Sequence, residues 1–234
     1  MANNKIKVLD KGYVRLRDVM GDDRTVANAA RVSFDRRTEK LNEKDKRLIR
    51  FLAWENHESP FRHASLQFEV YAPLMIARQW WRYAIGSDHV MDAWNESSRR
   101  YITEYEEFYV PDASEWRSYP DNVKQGSGEP IDDITGEWLM NELIKYNKKG
   151  ERLYAEAISH GVAPEQARLF LPAYGLYVRW YWTASLQSVA HLIRQRTADD
   201  AQYEFRLYAK AVKEIATEKF PVSLGALLNE KETK

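Results

Sequence analysis

The sequence predicts one α+β domain over residues 1–234, rich in helices and built on a small, mainly antiparallel sheet. Two observations favour this class. Short segments alternate apolar with polar residues, or are β-branched and aromatic, as the strands of a sheet are. Longer amphipathic segments preceded by capping residues lie between them, and no repeat or linker divides the chain.

The predicted elements follow in order along the chain. We expect strands at residues 13–19, 66–71 and 176–182. We expect helices at residues 22–32, 43–54, 137–160 and 164–172, and further helices that begin at Pro73, at Ser185 and at Thr197 or Asp199. Residues 86–98 are expected to form a loop before an extended piece at 99–101. The stretch 111–136 is rich in Asp, Ser, Pro and Gly, so we expect either a lid or a poorly ordered segment.

Composition excludes several classes of function. Lysine plus arginine and aspartate plus glutamate number 35 each, so the chain lacks the basic excess of a nucleic-acid-binding surface. Any bound anion is expected to be small and held by a few arginines. The absence of cysteine excludes disulfides, thiolate metal sites and a cysteine nucleophile. We see no signal segment and no apolar stretch that could span a membrane, so we expect a soluble, cytoplasmic protein.

Standard cofactor motifs do not occur: the sequence has no glycine-rich phosphate loop, no dinucleotide fingerprint and no HExxH zinc motif. What remains is a set of arginines with polar neighbours. Residues 92–101 combine an acid, amides, hydroxyls and arginines, which could cradle a phosphate, although composition alone favours a solvated turn followed by an edge strand. Arg196, expected between two helices, is equally ambiguous, because an arginine there often serves only the helix dipole.

The order of several segments identifies a family. Along the chain come VLDKG (8–12), VMGDD (19–23), AARVSF (29–34), HESPFRH (57–63), ARQWWR (77–82), NESSRRY (95–101), ARLFLP (167–172) and RTADDAQYE (196–204). From near the start to about residue 220, this series resembles the flavin-dependent thymidylate synthases. Each segment alone is weak evidence, but the shared order is specific.

The resemblance implies an activity, its co-substrates and an assembly. Members of the family methylate dUMP to dTMP, with carbon from methylenetetrahydrofolate and hydride from FAD that NADPH has reduced. They use no protein nucleophile, which accords with the missing cysteine. An arginine that matches Arg196 activates the pyrimidine electrostatically. The family's fold is α+β, and its members are homotetramers whose active sites are shared among subunits. From composition and motifs we expect no metal, no membrane association and no nucleic-acid partner.

The resemblance also assigns residues to the two ligands. The positions that match the family's dUMP contacts are Gln79, Arg82, Glu96, Ser98, Arg99, Arg100, Arg168 and Arg196. Among them, Arg100 and Arg168 would hold the phosphate, and Glu96 would lie between nucleotide and flavin. The positions that match FAD contacts are Ser33, Ser59, Arg82, Tyr83, Glu96, Ser185, Gln187 and His191.

The sequence departs from the family's pattern at two places. The chain has Arg82-Tyr83-Ala84 where the family signature is Arg-His-Arg, and the loop that follows is longer than in the commonest members. How the flavin phosphates are held is therefore open, with His89 and the loop backbone as candidates. Asp200 stands where many members have a histidine, which weakens one flavin contact.

Two other functions fit the same residues. The first is an enzyme that methylates UMP in a modified-nucleoside pathway, which the ribose pocket would decide. The second is a non-catalytic nucleotide- or RNA-binding module that uses arginines for phosphate and aromatic rings for stacking. The neutral net charge argues against RNA.

Overall fold

The computed structural model describes residues 4–32, 36–86, 93–97, 107–120 and 126–229, with residues 84–86 as backbone only. Within these ranges the strands form one antiparallel sheet in the order β1-β2-β3-β5-β4. The strands are β1 (Lys5–Val8), β2 (Gly12–Met20), β3 (Ser65–Pro73), β4 (Ala93–Glu96) and β5 (Tyr177–Ser185). The predicted fold class, a helix-rich α+β domain with a small antiparallel sheet, is confirmed.

The helices pack mainly on one face of this sheet. They are α1 (Asp23–Ala30), α2 (Glu43–Trp54), α3 (Leu74–Gly86), α4 (Asp133–Ser159), α5 (Pro164–Ala167), α6 (Leu186–Arg196), α7 (Tyr203–Lys219) and α8 (Pro221–Leu227). Short 3₁₀ turns occupy Ser59–His63, Ala113–Glu115, Arg168–Phe170 and Ala173–Gly175. No helix in the described ranges is long and apolar enough to cross a bilayer.

Tryptophan packing joins α3 to the centre of the sheet. The Trp80 ring lies edge-on to Trp180 and Trp182 of β5, with centroids 5.5 and 5.4 Å away, and stacks on Phe205 of α7 at 5.4 Å. All four side chains are buried. Truncating a buried tryptophan to alanine costs about 3–5 kcal/mol in general. The contact therefore fixes how α3 is rotated about its axis.

The two central strands each lead directly into a helix that carries candidate site residues. β3 runs into α3, and β5 runs into α6, whose first turn is capped because the Ser185 hydroxyl accepts the Ser188 amide at 3.2 Å. Since β3 and β5 are antiparallel, the two helices start from opposite ends of the strand pair. They then meet on the same sheet face, which brings the second half of α3 against the end of α6.

Most predicted elements are confirmed, including the strands at 13–19, 66–71 and 176–182 and the helix at 43–54. The helix expected at Glu137 begins earlier, because the Asp132 carboxylate accepts the Thr135 amide at 2.9 Å and caps α4 there. The prediction of a start at Thr197 or Asp199 is wrong. Thr197 donates its hydroxyl to the Ile193 carbonyl at 2.8 Å and so closes α6.

Two further expectations about loops need correction. Part of the expected loop at 86–98 is β4, a short edge strand whose pairing with β5 is long-range and leaves little local signal. The described parts of the stretch 111–136 pair with themselves, for example from Ser118 N to Glu129 O at 2.9 Å. The Arg117 guanidinium lies 4.1 Å from the centre of the Tyr203 ring on α7. These parts form a packed connection, so the poorly ordered alternative is wrong for them.

The sheet face opposite the tryptophans holds a buried carboxylate. Glu69 of β3 is 2% exposed; it accepts a hydrogen bond from the Tyr13 hydroxyl, pairs with Arg17, and lies 3.7 Å from Arg15. Burial alone would raise the pKa of Glu69, but the hydrogen bonds from Tyr13 and Arg17 and the arginine charges outweigh burial and lower that pKa below its usual value. Such a group stabilises the fold above its unfolded pKa of about 4.3, and the stabilisation is lost as pH falls.

We expect Glu69→Gln to lower the free energy of unfolding by about 2 kcal/mol at neutral pH, because it leaves buried donors without their charged acceptor. The difference from wild type should shrink as pH falls through the folded pKa of Glu69. Urea titrations between neutral and acidic pH measure this, with Glu214→Gln on the exposed side of α7 as the control. A difference that stays constant across the pH range would contradict the assignment.

Candidate active site

The guanidinium of Arg196 is held at the end of α6 by groups from α3 and α7. It donates through Nη2 to the Tyr83 hydroxyl and through Nη1 to Gln79 Oε1 at 3.4 Å. Its Cζ lies 4.5 Å from the centre of the Tyr83 ring and 5.6 Å from that of Phe205. We call these four residues the Arg196 cluster. Tyr83 also tilts against His191, which lies earlier on α6, with centroids 6.0 Å apart.

A chain of amides fixes the orientation of Gln79. Its Nε2 donates to Gln202 Oε1, and Gln202 Nε2 donates to Glu204 Oε2 at 2.8 Å. A carboxylate only accepts, so Glu204 determines which end of the Gln202 amide faces it. Gln202 in turn directs the amino group of Gln79 toward itself. The carbonyl oxygen of Gln79 is thereby left facing Arg196.

The groups that hold Arg196 are neutral. Within the described part of the chain no carboxylate forms an ion pair with it, and its buried Nε has no hydrogen-bond partner. The guanidinium also does not cap α6, since the Thr197 amide and hydroxyl take the Ile193 carbonyl. Arg196 still lies in the last turn of α6, where a cation also interacts favourably with the helix dipole. A partly buried cation with no counter-ion among the described residues favours an anionic or strongly polarised ligand.

A second group of polar side chains lies at the start of α6. Gln187 accepts from Arg62 Nε at 2.7 Å and donates to Glu58, and we call these three residues the Gln187 cluster. Ser59 follows Glu58 and begins the 3₁₀ turn that carries Arg62. Ser185 is 1% exposed and its hydroxyl caps α6, so within this chain it has little surface to offer a ligand.

Arg168 lies in a separate cavity of about 530 Å³, which we call the Arg168 cavity. Its lining residues are Leu74, Glu96, Ser97, Glu165, Arg168, Leu169, Leu171, Ala173, Leu176 and Val178. The fold therefore brings Arg168 and Glu96 together, as expected of residues that share a ligand. The described lining of this cavity includes no member of the Arg196 cluster.

A larger cavity of about 870 Å³ lies beside α1, and we call it the Arg37 cavity. It is lined by Arg24, Thr25, Asn28, Ala29, Val32, Arg36, Arg37, Thr38, Glu39 and His63. His63 is the last residue of the 3₁₀ turn that also carries Arg62 of the Gln187 cluster. The sequence assigned none of these lining residues to a ligand. In the described ranges, no group of His, Cys, Asp or Glu side chains could hold a metal ion.

The remaining expected site residues fall into two classes. Ser33, Ser98, Arg99 and Arg100 lie outside the described residues. Arg82 is exposed near the end of α3, and it is Tyr83 rather than Arg82 that contacts Arg196. Sequence reasoning missed Glu58, Arg62, Gln202, Glu204 and Phe205. Gln202 and Glu204 lie in the segment 196–204 that carried the resemblance. No local sequence pattern predicts the hydrogen bonds that their side chains form.

Comparison with known proteins identifies a family. The family model described as thymidylate synthase complementing protein matches residues 15–222. Flavin-dependent thymidylate synthases of Thermus thermophilus and Thermosipho africanus are 40% and 38% identical to the chain over 221 and 223 residues. These matches cover 94% and 95% of this chain, and 77% and 93% of the two relatives.

A solved structure shares the fold as well. The UMP/dUMP methylase PolB from Streptomyces cacaoi, bound with 5-Br UMP, superposes with a TM-score of 0.82 at 25% identity. The superposition covers 96% of this chain and 97% of that chain. Since the family model spans most of the sequence and its relatives align along nearly all of it, the chain belongs to the flavin-dependent thymidylate synthase family.

Proposed function

We propose that the protein methylates dUMP to dTMP, with methylenetetrahydrofolate as carbon donor and NADPH-reduced FAD as the source of hydride. The observation that carries this proposal is the Arg196 guanidinium, which two aromatic rings and the Gln79 amide hold without a counter-ion in the described structure. Such a group stabilises negative charge that develops on a pyrimidine, which the reaction needs when no cysteine is available to attack the ring.

The residues around α6 fit a flavin. The rings of Tyr83 and His191 offer an aromatic surface beside Arg196. The Gln187 cluster offers amide and guanidinium groups at the start of the same helix. FAD bound there would supply the hydride for the methyl group. Ser59 and Glu96 remain proposed flavin contacts, as do Ser33, Arg82, Ser185, Gln187 and His191.

Each protein group has a separate task in the proposed reaction. Arg196 would donate to the pyrimidine carbonyl and stabilise charge on it, a contribution of about 3–4 kcal/mol for one such donor. Gln79 would position both Arg196 and the base, since its amide is already oriented. The guanidinium of Arg168, which forms no hydrogen bond or ion pair among the described residues, would bind the phosphate together with Arg100 and Ser98, with Arg99 as a further dUMP contact.

We also propose a homotetramer in which subunits share active sites. Apolar side chains surround Arg168 at the surface: Leu169 is 86% and Tyr174 70% exposed. Side chains of this size and exposure favour a protein interface. A second subunit seated there would bring its own residues to Arg168, so the nucleotide site would be assembled from more than one chain.

UMP is the alternative substrate that a specific observation favours. The superposed PolB structure is named a UMP/dUMP methylase and is bound with 5-Br UMP. Its identity to this chain is 25%, against 40% for the Thermus enzyme, so dUMP is the better supported substrate.

Tritium release from 5-tritiated dUMP tests the proposed function, with FAD, NADPH and methylenetetrahydrofolate present and 5-tritiated UMP in parallel. We expect release that depends on all three additions and is much faster with dUMP. Release from UMP alone would favour the modified-nucleoside enzyme. No release from either, by a colourless protein that takes up no FAD, would favour the binding module.

Replacing Arg196 with alanine should lower turnover by about 100-fold or more, because one donor to the developing charge is lost. FAD should still bind, which its absorbance spectrum reports. The matched control is Arg194→Ala, which removes an exposed arginine from the same helix and should leave turnover near wild type. Near-normal turnover of the Arg196 variant would show that the assigned role is wrong.

The amide chain predicts a loss and its rescue. Glu204→Gln can both donate and accept, so it no longer fixes the Gln202 and Gln79 amides, and kcat should fall about 10-fold. The double variant Gln202→Glu/Glu204→Gln restores a single carboxylate that accepts from both neighbours, so kcat should recover. Glu214→Gln serves as the control on α7. A double variant as slow as the single one would count against this orienting role.

A further inference from the structure

We propose that the Arg37 cavity binds the diphosphate of FAD, and that Arg36 and Arg37 supply the charge that holds it. This inference rests on the proposed function, since it concerns the cofactor of that reaction. It answers how the phosphates are held in a chain that has Tyr83-Ala84 in place of the family's His-Arg.

The cavity carries an excess of positive charge. Arg24, Arg36 and Arg37 line it, and Glu39 is the acidic residue of its described lining. Arg24 is already engaged, because it donates to the Glu39 carbonyl at 2.9 Å and lies 3.3 Å from Asp22. Arg36 and Arg37 are exposed, and neither forms a hydrogen bond or ion pair within the described structure. Their guanidinium donors are available to an anion.

The backbone beside these arginines is held in place. Asn28 of α1 accepts the Thr38 amide at 2.8 Å and donates to the Thr38 carbonyl at 3.2 Å. The Thr38 hydroxyl also donates to Asp45, a buried residue at the start of α2, at 3.2 Å. Thr38, the residue that follows Arg37, is therefore held by both α1 and α2. A fixed support lowers the entropy that ligand binding must overcome.

The position of the cavity suits a cofactor whose ring lies at α6. His63 of the cavity follows Arg62, and Arg62 donates to Gln187 near the start of α6. From Gln187 to Arg196 the helix rises about 14 Å, at about 1.5 Å per residue. The order is thus the Arg196 cluster, then the Gln187 cluster, then the Arg37 cavity. An extended FAD presents its groups in a matching order: the ring, the ribityl chain and the diphosphate.

The chemistry of the ligand matches the donors. A diphosphate presents several anionic oxygens, and arginine binds such oxygens with paired N–H donors. A volume of about 870 Å³ accommodates the adenosine diphosphate half of the cofactor. Ser33, which the resemblance assigns to the flavin, precedes Arg36 closely in the sequence.

FAD binding, followed by the quenching of flavin fluorescence, tests the inference without relying on turnover. The variant is Arg36→Gln/Arg37→Gln, and the control is Arg47→Gln/Arg152→Gln, which removes two exposed arginines that line neither the Arg37 cavity nor the Arg168 cavity. We expect the first pair to weaken FAD binding about 100-fold, or roughly 10-fold for each arginine. Its binding should also depend less on NaCl, because fewer charges meet the phosphates. The control should bind as wild type does.

A third variant separates charge from packing. Arg36→Lys/Arg37→Lys keeps both charges, so it should bind FAD more tightly than the glutamine pair. The inference is overturned if the glutamine pair binds FAD like the control, or if the lysine pair binds no better than the glutamine pair. A wild-type protein that takes up no FAD would instead contradict the proposed function, and this inference with it.

Discussion

The burial of Trp80 between β5 and α7 is the contact on which the geometry of the candidate site depends. Its ring meets Trp180, Trp182 and Phe205, and all four are buried. Gln79 is the neighbour of Trp80, and Tyr83 lies about one turn after Gln79 on the same helix. Once Trp80 is seated in the core, these two polar side chains must face the end of α6, where Arg196 lies.

Electrostatics then explains why the site uses amides and rings around its central cation. A carboxylate beside Arg196 would neutralise it and reduce its ability to stabilise charge on a ligand. The carboxylate of this chain of contacts, Glu204, acts through Gln202 and Gln79. The described contacts thus orient Arg196 without cancelling its charge. By contrast, Glu69 on the other sheet face pairs directly with Arg17, as suits a purely structural role.

The sequence reveals those parts of the molecule that depend on local pattern. Ser185 before an amphipathic segment predicts α6, and the structure confirms both the helix and its cap. The end of that helix also places Arg196 at a junction. The missed features depend on partners distant in sequence. β4 exists through pairing with β5, and α7 begins at Tyr203 after a residue whose side chain caps nothing.

The candidate site shows the same division between features that local sequence predicts and features that depend on distant partners. The resemblance identifies Gln79 and Arg196, which the structure brings together. It does not identify Gln202, because that contact joins residues far apart in the chain. Arg36 and Arg37 had no motif at all, and only the cavity they line draws attention to them. Local sequence reports which residue types are present, whereas the packing of α3 against α6 decides which of them meet.

Locating the pyrimidine ring tests the central claim, that Arg196 is the group that activates it. The measurement is the anomalous signal of bromine in crystals of the FAD-loaded protein grown with 5-bromo-dUMP. We expect bromine density next to the Arg196 guanidinium, with a base carbonyl accepting from it. Bromine bound elsewhere, while Arg196 stays on Tyr83 and Gln79 and away from the base, would show that Arg196 does not activate the pyrimidine.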